Sequence, residues 1–110
     1  MVKVTFYRDR DAVITGFRMD GHANYQKSGG DIVCSAVSMI SQSTLIGLHE
    51  VAGIKVVFTK RDGFLSCSIP KDLTEEQGVM AKAILGTMKA GLLNIKKNYG
   101  RYVDIDEEEV

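Results

Sequence analysis

Apolar and polar positions alternate at the start of the chain, with Val2, Val4 and Phe6 set against Lys3, Thr5 and Tyr7. The same period returns at Val13, Thr15, Phe17 and Met19. A period of two places each apolar set on one face of a strand, and the short polar stretch Asp9-Arg10-Asp11 joins the two strands as an antiparallel hairpin. Residues 20–30, DGHANYQKSGG, hold three glycines and no apolar period. They form a loop, long for a compact domain and therefore a candidate functional segment. From Asp31 the period becomes helical: Val33, Val37, Ile40 and Thr44 share a face, while Ser35, Ser38, Ser41 and Gln42 supply small or polar positions. Asp31 suits the N-cap and Gly47 the stop. A second strand pair, IKVVFTKR and FLSCSI, flanks Asp62-Gly63, the signal for a type I′ turn with positive φ at both central residues. After Pro70, Thr74 opens a long helix with Gln77 as its capping-box partner. Val79, Ala83, Ile84, Met88, Leu92 and Ile95 are its expected apolar stripe. Gly86 and Gly91 inside that helix predict close backbone packing against the other helix or a second subunit.

The order β-β-α-β-β-α predicts an α+β, two-layer fold in which antiparallel hairpins form a sheet covered by two helices. A chain of 110 residues, 45% hydrophobic and 25% charged, fits a single domain over residues 1–103. Residues 104–110, DIDEEEV, follow as an acidic tail, either solvated or forming a short last strand through residues 102–105. Fourteen Lys and Arg balance fourteen Asp and Glu, but five of the acids sit in that tail, leaving the body at +5. That is mild, and no signature of interleaved aromatics and bases accompanies it, so direct nucleic-acid binding is not expected. No apolar run approaches the ~20 residues of a membrane span, and the charged, alternating N-terminus is neither signal nor transit peptide. A cytoplasmic location follows, in which thiols stay reduced and Cys34 and Cys67 are free.

Cys34 is the informative residue. With Asp31 as N-cap it takes the third helical position, where unpaired backbone N–H groups and the helix dipole favour a thiolate. The alternative is a buried small hydrophobe in the run Ile-Val-Cys. His22 shifts the balance, because the glycine-containing loop that carries it leads directly to Cys34. Folding back, it would bring an imidazole to the thiol, the minimum machinery of covalent acyl transfer. His49, near the end of the first helix, reads as a helix-end residue, and Cys67, mid-strand between two serines, as a structural thiol. His22, Cys34, His49 and Cys67 lack the paired spacings of structural zinc modules, so neither metal nor other cofactor is expected. Ser28-Gly29-Gly30 lacks the length and the Lys-Ser/Thr ending of a phosphate loop.

Gly21-His22-Ala23, followed by Gly30-Asp31-Ile32-Val33-Cys34-Ser35-Ala36-Val37-Ser38, resembles the signature of the ribosomal-processing cysteine protease family, Prp. Length, element order and the small-residue first helix fit as well. The resemblance implies a cytoplasmic, homodimeric endopeptidase that removes the N-terminal extension from the precursor of the twenty-seventh large-subunit ribosomal protein. Carried over, the nucleophile is Cys34 and the general base His22.

In that reading His22 takes the Cys34 proton and returns it to the leaving amine, and backbone N–H groups at the helix start, that of Cys34 included, face the oxyanion. Asp31 either orients His22 or caps the helix. Ser38, one turn beyond Cys34, either lines the site or is a solvated serine. Gly21, Gly29 and Gly30 suggest a loop that covers substrate. Two other readings stand beside it: a noncatalytic ribosome-associated binding module using the basic body, and a thiol hydrolase acting on another substrate.

Overall fold

The computed structural model describes residues 1–21 and 30–110, with side chains in the first helix from Ile32 onward. Strands β1 (Val2–Arg8) and β2 (Ile14–Asp20) form the expected hairpin. Its connection is a side-chain-stabilised turn, in which the Asp9 carboxylate accepts from the backbone N–H groups of Asp11 and Val13 at 2.8 and 3.0 Å. Val13 lies in that connection and is 51% exposed, so it does not join Phe17 and Met19 in the core.

Helix α1 (Gly30–Ile46) starts two residues earlier than an N-cap at Asp31 implies, and it does not stop at Gly47 but continues as a π-helical turn through Val51. Its buried stripe is Val33, Val37, Ser41, Thr44 and Leu48. Ser41 and Thr44 tolerate that environment because each hydroxyl donates to the carbonyl four residues back, at 2.8 Å. Ile32–Val51 is long and apolar enough by length and composition to cross a membrane, which corrects the expectation that no segment reaches that threshold. Here one face of it, with Val33, Val37 and Leu48, packs into the core with the sheet and the second helix.

Strands β3 (Val57–Arg61) and β4 (Phe64–Ser68) make the second hairpin. Gly63 has φ +70° but Asp62 is not in the left-handed region, so the turn is not type I′. A side chain at the first central position avoids positive φ when glycine at the second can take it alone. Helix α2 (Glu75–Tyr99) is closed by the predicted capping box: Gln77 N–H donates to Thr74 Oγ1 at 3.0 Å, and the Gln77 side chain accepts from Thr74 N–H at 3.1 Å. The same Gln77 amide donates to the Gly53 carbonyl at 3.1 Å, tying the start of α2 to the end of the first helical segment. Its buried stripe is Ala81, Leu85, Met88 and Leu92. Met88 and Leu92 were expected there, whereas Val79 and Ala83, also expected, are exposed, and Ala81 and Leu85 take their place at the start of the stripe. Of the two interior glycines, Gly91 faces the Ile40 side chain of α1, where an added Cβ would make ordinary contact at 3.8 Å, whereas Gly86 faces open space.

One further strand completes the sheet. Residues expected as a tail form β5 (Val103–Glu109), parallel to β1 along its whole length, and give the order β3-β4-β2-β1-β5. The expected domain boundary at residue 103 therefore falls at the first residue of a strand of the same sheet. Four of its five acids meet bases of the body: Arg8 meets Glu109 at 2.9 Å, Lys89 meets Glu107 at 2.8 Å, and Lys96 and Lys3 approach Asp104 and Asp106 at 3.8 and 3.9 Å. Hydrogen bonding to Lys89 holds the Glu107 carboxyl below its ordinary pKa. The asymmetry between basic body and acidic C-terminus is thus largely resolved within the fold.

Candidate active site

The described residues contain a groove of about 780 Å³ between the exposed side of α1 and the β3–β4 hairpin. That is within the size range of small-molecule and peptide subsites. Residues spaced by four along the helix recur on one side of it, so Cys34, Ser38 and Gln42 line one wall together, with Ser35 and Met39 beside them. The hairpin from Lys60 to Leu65 forms the other wall, and Met19 and Gly21 close the end at β2. Gly21 is there for a backbone reason. Its φ of +98° excludes most side chains, a Cβ would lie 2.6 Å from the Met1 carbonyl oxygen, and its N–H donates to the Gly63 carbonyl at 2.9 Å. The last residue before the His22 loop is therefore anchored to the hairpin that forms the far wall.

Cys34 is a free thiol, half-buried, with one side against the core and the other on the groove. Because α1 begins at Gly30, Asp31 lies within the first turn and is not its N-cap, and Cys34 is the fifth helical residue, not the third. In a helix with that start the Cys34 N–H is committed to the Gly30 carbonyl, which removes it from the expected oxyanion donors. The amides of Gly30, Asp31 and Ile32 are the first-turn donors that have no acceptor within the helix. Ser38, one turn on, does line the groove. His22 and Gly29 lie outside the described residues.

The other titratable candidates are elsewhere. Cys67 is 4% exposed in the middle of β4, and burial pushes its thiol pKa up to about 11. His49 is exposed in the π-helical turn, its Nδ1 3.6 Å from Glu50, and fifteen residues along the helix from Cys34, roughly 20 Å away. Cys34 and His49 are therefore not brought together.

Sequence reasoning missed the hairpin's share of the groove. The Phe64 ring is flanked by two guanidinium groups, Arg61 at 4.0 Å and Arg18 at 5.2 Å from its centroid, and Arg18 is held in turn by Asp20 at 2.7 Å. Lys60 Nζ donates across the groove to Gln42 Oε1 at 2.9 Å, and Gln42 Nε2 donates to Ser38 Oγ at 2.8 Å. The helix half of this arrangement was visible as a spacing of four from Cys34. The hairpin half was not, because nothing local pairs residue 42 with residue 60.

A family model described as "Cysteine protease Prp" matches residues 1–104. The chain belongs to that family. It is accordingly a cysteine protease, a hydrolase, and the noncatalytic binding module considered from sequence gives way. Among curated proteins it is 27% identical over 101 residues to the ribosomal processing cysteine protease Prp of Bacillus subtilis (strain 168), with 90% of each chain covered. Among solved structures it resembles the Prp of S. aureus in complex with a substrate peptide, at a TM-score of 0.84 and 21% identity, covering 97% of this chain and 99% of that one. A structure of S. aureus Prp with a covalently linked product peptide gives a TM-score of 0.82 at 23% identity, with the same coverage. These likenesses establish that the five-stranded sheet with two helices is the fold of the family's solved members.

Proposed function

We propose that this protein is the endopeptidase that removes the N-terminal extension from the precursor of the twenty-seventh large-subunit ribosomal protein, with Cys34 as nucleophile and His22 as general base. The observation that carries the reading is the position of Cys34: a thiol on the wall of a groove of about 780 Å³, in a chain of a cysteine protease family. The name of the Bacillus subtilis relative supports a ribosomal substrate. The same reading makes the protein a cytoplasmic homodimer.

His22 receives the Cys34 proton, and the thiolate attacks the scissile carbonyl carbon to form the S–C bond of a tetrahedral oxyanion. First-turn amides of α1 from Gly30 to Ile32 supply donors and the positive end of the helix dipole for that charge. Collapse breaks the C–N bond as the imidazolium returns its proton to the leaving amine. Water, deprotonated by His22, then hydrolyses the thioester and frees both the carboxylate product and Cys34. Asp31, inside the first turn, orients His22 in this scheme. Gly21, Gly29 and Gly30 keep the substrate-covering role that the sequence suggested for them in this reading.

The test is to incubate the precursor from the same organism with the enzyme and read the new N-terminus by mass spectrometry. One defined cut is expected, absent with Cys34→Ala and with His22→Ala at unchanged thermal unfolding. Cleavage retained by either variant overturns the dyad. An intact precursor alongside a reactive Cys34 reassigns the enzyme to another substrate.

A further inference from the structure

The bridge across the groove has a defined polarity. A lysine ammonium has only donors to offer, so the atom of Gln42 that meets Lys60 is the oxygen, and the amide nitrogen necessarily faces Ser38. Ser38 Oγ therefore accepts, and its own proton is left to be used elsewhere. The neighbouring hydroxyls of α1 behave differently: Ser41 and Thr44 donate to backbone carbonyls one turn back, and Ser43 donates to Met39 Sδ at 3.5 Å. Ser38 has no such acceptor among the described residues. It follows Cys34 by four positions, which brings the two side chains within about 5–6 Å at Cβ, and helix geometry tilts the hydroxyl toward the N-terminal turn that carries the thiol. Both side chains open on the same groove.

We propose that Gln42 and Lys60 are positioning residues for the cleavage reaction, which fix the Ser38 hydroxyl so that its proton is donated toward the Cys34 sulfur. The proposal rests on the reading of Cys34 as the nucleophile and deepens it. Lys60, on the edge strand β3, orients the Gln42 amide; Gln42 occupies the Ser38 lone pair; the Ser38 proton is thereby directed at the thiolate, the form that attacks. A donor to the charged form stabilises it relative to the thiol. The other charged groups around the groove are Arg61 and Asp62 on the hairpin, with Asp31 and His22 preceding Cys34 in the sequence.

Gln42→Glu separates the polarity of this bridge from its bulk. A carboxylate still accepts from Lys60, but it turns from donor to acceptor toward Ser38 and draws the serine proton away from Cys34. The experiment measures the rate of Cys34 alkylation by iodoacetamide against pH, located by peptide mass spectrometry, on the full chain. Wild type is compared with Gln42→Glu, Ser38→Ala, Lys60→Met and the double variant Ser38→Ala/Gln42→Glu, with thermal unfolding alongside. The expected result is an alkylation midpoint raised by about one pH unit in Gln42→Glu and in Ser38→Ala. Lys60→Met should give a smaller shift in the same direction, and the double variant should move no further than Ser38→Ala. Substrate kinetics should show kcat falling with KM unchanged. A Gln42→Glu shift that persists in full on the Ser38→Ala background is a charge effect and overturns the proposal. An unmoved midpoint in Ser38→Ala overturns it as well, and that variant removes one oxygen without asking the fold to accept a carboxylate at position 42. A wild-type Cys34 no more reactive than the same thiol in the unfolded chain overturns the nucleophile assignment itself, and this proposal with it.

Discussion

Two free cysteines occupy opposite kinds of environment, one on the groove wall of α1 and one in the middle of β4. Cys34 is half-buried beside Ser38, with an open volume in front of it. Cys67 faces Phe6, Phe17 and the rest of the apolar layer, with burial holding its thiol in the neutral form. The chemistry of the side chain is identical in both. What differs is the element: a helix wall can present a side chain to a cleft beside its first turn, whereas the inward face of a central strand presents it only to the core. On the proposed reading, the difference in reactivity between the two is a matter of placement.

The largest expected consequence is in activity. Cys34→Ala should lower cleavage by at least about a thousandfold, as removal of a nucleophile does, while Cys67→Ala should leave it within a few-fold of wild type. Equal losses in the two variants would erase the distinction. Next in size is an alkaline effect that belongs to Cys67 alone. Its folded pKa of about 11 lies above the ordinary value of 9.0, so the native state keeps a proton that the unfolded chain releases. Its contribution to stability is whole below pH 9 and falls as pH rises toward 11, by on the order of 2 kcal/mol. Urea unfolding between pH 8 and 11 should show the decline in wild type and lose that component in Cys67→Ala. A decline of the same size in Cys67→Ala would assign it to other groups. Smallest is the cost of the cavity: Cys67→Ala at neutral pH should lower stability by about 1 kcal/mol, read from the urea midpoint.

Much of this contrast was legible in the sequence, and the reasons are specific. Val2, Val4 and Phe6 alternate against polar residues because one face of β1 is core, and Thr74 with Gln77 announces α2 because a capping box is a purely local device. Cys34 stood out because a thiol followed a glycine-rich loop at a helix start. The misreadings share a cause too. The acids from Asp104 onward read as a solvated tail as easily as a short last strand until Arg8, Lys3, Lys89 and Lys96, distant in sequence, are found beside them. A β-strand whose partner is the first strand of the chain carries no local sign of that pairing. The start of the α2 stripe was misplaced similarly, since Val79 and Ala83 satisfy a helical period as well as Ala81 and Leu85 do, and only tertiary packing decides between them; Met88 and Leu92 were placed correctly. Across the groove beside Cys34, Gln42 was visible as a polar helix position, but its tie to Lys60 required the hairpin to fold over the helix.

The central claim, that Cys34 and not Cys67 forms the covalent bond with substrate, is tested most directly by acid-quenching the enzyme during turnover and mapping adducts by mass spectrometry. Quenching should trap a fraction of the protein carrying the N-terminal fragment less one water, confined to the proteolytic peptide that contains Cys34. Product accumulating with no adduct on that peptide, or an adduct on the peptide containing Cys67, would contradict the account.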